Sequence, residues 1–319
     1  MSEKTADPRS ARVALVAAAV TVILWASAFV VIRSAGQHFS PGPLALGRLV
    51  VGVLALGVTS VIRRQGWPPR AAWPGILVSG VLWFGVYFVA LNWGEQKLDA
   101  GTASMLVNIG PILIALLSGW LLKDVIPPRA FAGLIISFAG AVVVGFSIAG
   151  HGNESILGVL LCLAAAVSYA GGVVAQKPAL KQASALQVTT FGCTVGAICC
   201  LPFTGPLITQ IESASLSANL DVIYLGIFPT ALAFTTWAYA LSRTTATNMG
   251  ATTYIVPVLT ILLAWAFLGQ VPLWLSLVGG ALCLVGVAVT RSKRRLAWWR
   301  REPVADLAEQ AESAGQVSR

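Results

Sequence analysis

The sequence predicts an all-α integral membrane protein with ten transmembrane helices arranged as two inverted five-helix repeats. Three observations carry this. Of the 319 residues, 57% are apolar and only 10% charged, with a mean hydropathy of +0.81; a soluble domain carries about a quarter charged residues. One pattern occurs twice, displaced by 146 residues without a gap. Gly80, Phe88, Ala100, Pro111, Leu113, Leu116, Leu117, Gly133 and Gly140 have partners in Gly226, Phe234, Ala246, Pro257, Leu259, Leu262, Leu263, Gly279 and Gly286. Finally, Lys and Arg collect in alternate connections, as they do where a chain crosses a membrane repeatedly.

A helix needs about 20 apolar residues to cross about 30 Å of hydrocarbon. Runs bounded by Pro, Gly or charge place spans at 13–33, 42–62, 72–93, 100–122 and 129–149, then at 156–176, 184–203, 220–241, 246–268 and 273–290. The runs are continuously apolar rather than alternating, so they are helices and not barrel strands. The organisation is a cytoplasmic tail (1–12), a first repeat (13–150), a second repeat (151–291), and a basic juxtamembrane segment with a mobile tail (292–319). Five spans per half is an odd number, so the second half enters the membrane inverted, the usual build of an alternating-access carrier.

The first span follows Lys4, Arg9 and Arg12 and contains Ala26-Ser27-Ala28, which imitates a secretory signal and its cleavage site. The apolar run continues to Ile32, however, and Trp25-Ala26-Ser27-Ala28-Phe29-Val30 has an internal counterpart in Tyr169-Ala170-Gly171-Gly172-Val173-Val174. A segment repeated within the mature fold reads as a permanent helix. The fifth and tenth spans each carry a small-residue face, Gly133, Ser137, Gly140 and Ala141 in one, Gly279, Gly280, Cys283 and Gly286 in the other. Such faces let helices approach closely, within the chain or in a homodimer.

Charge fixes orientation. Lys4, Arg9, Arg12, Arg63, Arg64, Arg70, Lys123, Arg129, Lys177, Lys181 and Arg243 share one side with the C-terminal cluster from Arg291 to Arg301. Of the 21 Lys and Arg residues, only Arg33 and Lys97 fall in the opposite connections, and Arg48 lies inside a span. Both termini are therefore expected in the cytoplasm, with the protein in the inner or plasma membrane. The net charge of +9 is topology signal rather than a nucleic-acid footprint, and the segment with Trp298 and Trp299 reads as lying on anionic headgroups.

Catalysis is not expected. No HExxH, GxSxG or P-loop pattern occurs, and the 12 acidic residues fall in tails, loops or span ends. Cys162, Cys193, Cys199, Cys200 and Cys283 all lie in spans without metal-ligand spacing, so they read as packing residues. No metal and no cofactor is implied.

Polar chemistry concentrates elsewhere. Pro111 and Pro257 stand near the centres of the fourth and ninth spans, where each lacks an N–H and frees a carbonyl four residues earlier, at Val107 and Thr253. Beside these kinks, at equivalent positions, are Asn108 and Tyr254, either lining a midplane site or serving packing. Arg48 lies about 10 Å from the start of the second span at 1.5 Å per residue. A central Arg costs about 2.5–3.5 kcal/mol on insertion scales, so it either snorkels outward or faces the bundle and binds an anionic group. Trp25, Trp83, Tyr87, Asn92, Trp93, Tyr169, Gln176, Trp237 and Tyr239 complete the candidates. Trp93 and Tyr239 fit interface belts, while Trp25, Tyr87 and Tyr169 sit deeper. Glu95, Lys97 and Asp99 crowd the end of the third span, as a gate, a coupling site or, the simpler expectation, a solvated loop.

These motifs together resemble EamA-type members of the drug/metabolite transporter superfamily: Trp25-Ala26-Ser27-Ala28-Phe29, Leu91-Asn92-Trp93-Gly94-Glu95, the run Asp99-Ala100-Gly101-Thr102-Ala103-Ser104-Met105-Leu106-Val107-Asn108-Ile109-Gly110-Pro111, and Arg48 at the family's arginine position. The resemblance covers roughly residues 13–290. It implies a ten-helix inner-membrane carrier with its cavity between the halves, exporting amino acids or other small metabolites. The family often ends its fourth and ninth helices with glutamate; here those positions read Lys123-Asp124 and Gly269-Gln270. The expected function is thus a secondary transporter with a small-molecule substrate, the lipid bilayer as its other partner and no nucleic acid. A non-transporting receptor or assembly scaffold is the alternative; a polar cleft at midplane depth separates the two.

Overall fold

The computed structural model describes residues 8–121, most of 132–146, 153–243 and 246–291. The tails, Lys123, Asp124 and the side chain of Tyr254 lie outside the described residues. Among these residues every regular element is helical. The helices are α1 (Pro8–Ala35), α2 (Pro41–Ile62), α3 (Arg70–Lys97), α4 (Ala100–Leu121), α5 (Asn153–Ala179), α6 (Ala185–Ser213), α7 (Leu216–Leu241), α8 (Ala246–Gly250, Ala251–Ile255 and Val256–Leu268) and α9 (Trp274–Arg291). The described residues between 132 and 146 are helical too. Seven of these helices, α1 to α7, are long and apolar enough to cross a membrane; Val256–Leu268 and Trp274–Gly286 are shorter apolar helices. The chain is a multi-pass membrane protein.

Four boundaries differ from expectation by four residues or more. α1 starts at Pro8 and α7 at Leu216, earlier than expected, α3 runs past Trp93 to Lys97, and α6 continues beyond Phe203 to Ser213. Pro202 does not stop α6 because it sits in a tight Leu201–Phe203 turn that opens the next helical stretch, where the missing N–H costs no helical bond.

The duplication reappears as geometry. α3 and α7 each loosen into a π-helical turn at the same register, Gly80–Val86 and Gly226–Leu232. α4 and α8 start at the equivalent residues Ala100 and Ala246, and both break half-way. In α4 the break falls at Asn108 and Ile109, before Gly110–Leu121; in α8 it is the Ala251–Ile255 stretch, before Val256–Leu268. Pro111 and Pro257 therefore occupy the second residue of a new helical piece, a position that needs no N–H partner, rather than bending a continuous helix.

The halves pack crosswise. α1 lies against α7 and α8, and α5 against α3 and α4; the π turn of α3 rests on α6 and that of α7 on α2. Two glycines show how alike these crossings are. A Cβ on Gly226 would stand 2.5 Å from Val51 Cβ and 2.8 Å from the carbonyl of Arg48; one on Gly80 would stand 2.6 Å from Val195 Cβ and 2.9 Å from the carbonyl of Gly192. The same contact is made twice with the halves exchanged. It also identifies Gly192 as the counterpart of Arg48. The small-residue faces meet inside the chain: a Cβ on Gly140 would reach the Gly279 carbonyl at 2.5 Å and Cys283 N at 2.7 Å.

Candidate functional site

Aromatic side chains from α1, α3, α5 and α7 converge near the middle of the bundle. Trp25 lies 5.9 Å from Trp83, 6.4 Å from Tyr169, 5.3 Å from Phe234 and 4.8 Å from Trp237, measured between ring centroids. Trp83 and Tyr169 close the triangle at 5.3 Å, and Tyr87 stands 6.1 Å from Tyr169. These are the edge-on and tilted spacings that aromatic quadrupoles favour. Together with Ser104, Asn108 and Thr253 the rings wall a cleft of about 40 Å³. A water needs roughly 10–15 Å³ measured this way, so the cleft has room for a few waters. A recess of about 20 Å³ shares Trp25, Phe29 and Tyr87 with the cleft and adds Arg48 and Phe88.

The cleft sits where the two halves meet. Trp25 and Tyr169 are sequence equivalents, and they touch. Residues 107 and 108 are equivalent to 253 and 254, and the amide of Asn108 donates to the Thr253 carbonyl at 2.9 Å. Pro257 cannot donate to the Thr253 carbonyl; Val256 N–H does so instead, and the Asn108 amide adds a second donor from the other half. The Asn108 Oδ1 has no hydrogen-bond partner among the described residues. Asn108 thus both pins the packing and lines the cleft.

Arg48 faces the bundle, 2% exposed, and does not snorkel. Its Nε donates to Thr230 Oγ1 at 3.2 Å, and its guanidinium carbon lies 3.9 Å from the centre of the Phe88 ring. Thr230 belongs to the π turn of α7, where its hydroxyl donates to the Leu225 carbonyl at 2.7 Å. One terminal nitrogen, Nη1, has no partner among the described residues. A buried guanidinium with a spare donor beside an aromatic cleft can take a carboxylate or phosphate oxygen.

Trp25, Trp83, Tyr87, Asn108 and Tyr169 therefore meet in one cleft with Arg48 next to it, and Pro111 and Pro257 open the helical pieces below the two breaks. The structure does not bring Asp99 there. Its Oδ1 accepts from Thr102 N at 2.8 Å and its Oδ2 from Thr102 Oγ1 at 2.6 Å, so it caps α4. Glu95 corrects the solvated-loop expectation, because it is fully buried in the last turn of α3. The cause is Gly94. A Cβ there would lie 2.7 Å from Cys162 Sγ and 3.2 Å from the Gly158 carbonyl, so α3 and α5 close tightly over the Glu95 side chain. Asn92, likewise buried, donates to the Pro41 carbonyl at 3.1 Å. Sequence reasoning missed Ser104 and Thr253 as lining residues and Thr230 as the partner of Arg48, although Thr253 was visible as the carbonyl to which Pro257 cannot donate. A roomier void, about 370 Å³, lies across α1 from the cleft, between Ser27, Ser34, Asp221, Tyr224 and Phe267.

Residues 12–146 and 156–292 each match the EamA-like transporter family. The chain belongs to that family. This EamA transporter is 35% identical over 270 residues to "Uncharacterized transporter YdfC" of Bacillus subtilis (strain 168), covering 85% of this chain and 88% of that one. It is 34% identical over 283 residues to a "Probable terminal-alkyne amino-acid exporter" of Streptantibioticus cattleyicolor, covering 89% and 94%. A solved crystal structure shares its fold, with a TM-score of 0.63 and 23% identity over 88% of this chain and 99% of the other. In this transporter the cleft lies between the two EamA copies: Trp25, Trp83, Tyr87 and Asn108 come from the first, Tyr169 and Thr253 from the second.

Proposed function

We propose that the chain is a secondary transporter of the plasma membrane that exports small amphipathic metabolites, amino acids or related compounds. It works by alternating access between two inverted five-helix repeats, ten spans in all, with both termini cytoplasmic. The observation that carries this reading is the cleft lined by both halves and bridged by the Asn108–Thr253 bond. Two halves that are alike but inverted can exchange conformations, and that exchange moves access to a site between them from one side of the membrane to the other. Broken helices at midplane depth are tolerated where they line such a site. The positive-inside bias supports the orientation, since Arg63, Arg64, Arg70, Lys177 and Arg243 lie at one end of the bundle.

The chemistry of the walls suits an amphipathic solute. Arg48 Nη1 offers a donor to a carboxylate, Asn108 Oδ1 offers an acceptor to an amine, and Trp25, Trp83 and Tyr169 offer apolar faces that also attract a cation. The name of the Streptantibioticus relative supports both the direction and the substrate class. Metabolites should be compared in the medium of cells with and without the protein, and any enriched compound then followed in oriented vesicles. Saturable movement that alanine at both Arg48 and Asn108 abolishes is the expected result. No enriched compound, or movement indifferent to both substitutions, would remove the proposal.

A further inference from the structure

Among the described residues Glu95 is the one fully buried carboxylate, and it lies outside the aromatic cleft. Neither of its oxygens has a hydrogen-bond partner among the described residues. Every ionisable neighbour can be named: Arg33 on α1, Arg48 on α2, Asp99 ahead of α4, Cys162 on α5, and Tyr87 on α3 itself, with Lys97 two residues along the same helix. None of these neutralises it through a bond. Arg33 donates to the main-chain carbonyl of Glu95 at 2.7 Å, not to its side chain, and Arg48 is engaged with Thr230 and Phe88. Asp99 is spent on Thr102. An ionised carboxylate held dry without a bonded partner costs several kcal/mol, and ionisable groups at such positions mark coupling pathways in carriers.

The surroundings form a seal. Arg33 to the Glu95 carbonyl, Gln96 to the Phe39 carbonyl at 2.8 Å and Asn92 to the Pro41 carbonyl at 3.1 Å tie the last turns of α3 to the α1–α2 connection. In the proposed orientation this is the outer mouth. Phe88, two turns back along α3, carries the Arg48 guanidinium on its ring. A movement of α3 that releases a solute past Arg48 must therefore also break the seal over Glu95.

We propose that Glu95 is a proton-binding site linked to the outer mouth: sealing takes up one proton on its carboxyl group, and opening hydrates the group and returns the proton to the outer water. The exchange is a simple acid dissociation, with no electron transfer and no co-reactant. It rests on the carrier reading and its orientation. The sealed form holds one more proton than the open form, so acid favours sealing and alkali favours opening. The sealed-to-open ratio then changes by up to about tenfold per pH unit where only the sealed form holds the proton.

The protein supplies its own reporter. Cys162, fully buried, lies against Gly94 beside Glu95 and becomes reachable from outside only if the mouth opens. The full chain carrying C193A, C199A, C200A and C283A should be labelled in liposomes with a membrane-impermeant maleimide, with Glu95 intact and as Glu95→Gln. Thiol ionisation accelerates both equally, so the ratio of their rates reads the mouth. The ratio should be near one at acid pH and rise by up to about tenfold per unit at higher pH; a ratio that stays constant overturns the proposal. An infrared spectrum of the unsubstituted chain gives a reading that needs no variant. A protonated carboxyl C=O band at acid pH, slow to exchange in D2O and lost on alkalinisation, is expected; absence of that band overturns the proposal by itself. Neither measurement uses a substrate, so failure here leaves the carrier reading standing, and an unproductive metabolite search leaves the proton site standing.

Discussion

At equivalent places in the two halves the chain sets Arg48 and Gly192, although the backbones there meet their partners in nearly the same way. The Arg48 carbonyl approaches the Gly226 position at 2.8 Å and the Gly192 carbonyl approaches Gly80 at 2.9 Å. The same contrast recurs at Trp25 and Tyr169, and at Asn108 and Tyr254. The frame is shared because close packing depends on where glycines permit approach, and that requirement is identical in both halves. The polar groups are not shared, and in the proposed carrier a solute in the cleft would touch both halves at once. A strictly symmetric pocket would offer a carboxylate and an amine the same partners, and so could not orient an asymmetric molecule.

The largest effect should come from the unmatched charge. With Arg48→Met, export of the compound found in the metabolite comparison should fall by about 100-fold, since truncating one partner of a buried charge pair costs about 2–5 kcal/mol. The thermal midpoint in detergent should hold or rise, because removing a buried ion often stabilises the apo protein. A variant that unfolds while its residual folded fraction still transports would make Arg48 a structural residue. Next come the matched glycines. Gly80→Ala and Gly226→Ala each force backbone apart and should each cost about 1–3 kcal/mol of stability. Only Gly226→Ala, which displaces the Arg48 backbone, should also weaken transport. Unequal stability losses from the two would break the proposed equivalence.

Asn108→Ala probes the bond that joins the halves. It leaves the Thr253 carbonyl with only its Val256 N–H donor, and should lower stability by about 0.5–1.5 kcal/mol while also weakening transport. Reintroducing the amide as Asn108→Gln should recover neither fully, because the longer arm does not fit a cleft of about 40 Å³.

What the sequence showed and what it concealed divide along physical lines. The repeat, the paired breaks and the charge asymmetry were legible because each is written in local, duplicated residues: Pro111 and Pro257, Gly80 and Gly226, the arginines of alternate connections. That Pro257 cannot donate to Thr253 was legible too, but not the amide that reaches this carbonyl from the other half, since no sequence rule aims Asn108 across 145 positions. The side on which Arg48 points was undecidable for the same reason; it depends on Thr230, which a π turn of the other half presents. Glu95 was misplaced outright. Its neighbours Gln96, Lys97 and Asp99 are polar, and burial there follows from the fit of Gly94 against α5, a property of two helices and not of one.

The smallest effect concerns the other face of α1. Ser27 points away from the cleft, its hydroxyl 2.8 Å from the Tyr224 hydroxyl and 2.9 Å from the Leu24 carbonyl. It lines the void of about 370 Å³, far roomier than the aromatic cleft. Size alone would nominate that groove as the substrate site. Its walls argue otherwise: Ser27 and Tyr224 satisfy each other, and no residue there meets its own repeat equivalent, so exchanging the conformations of the halves would not carry a solute in the groove across. Ser27→Ala should therefore cost only about 0.5–1.5 kcal/mol of stability and leave the export rate within about twofold of the parent. If the export rate instead fell as far as it does with Arg48→Met, the solute would lie against the lipid side of α1, and the asymmetry of the aromatic cleft would lose its link to recognition.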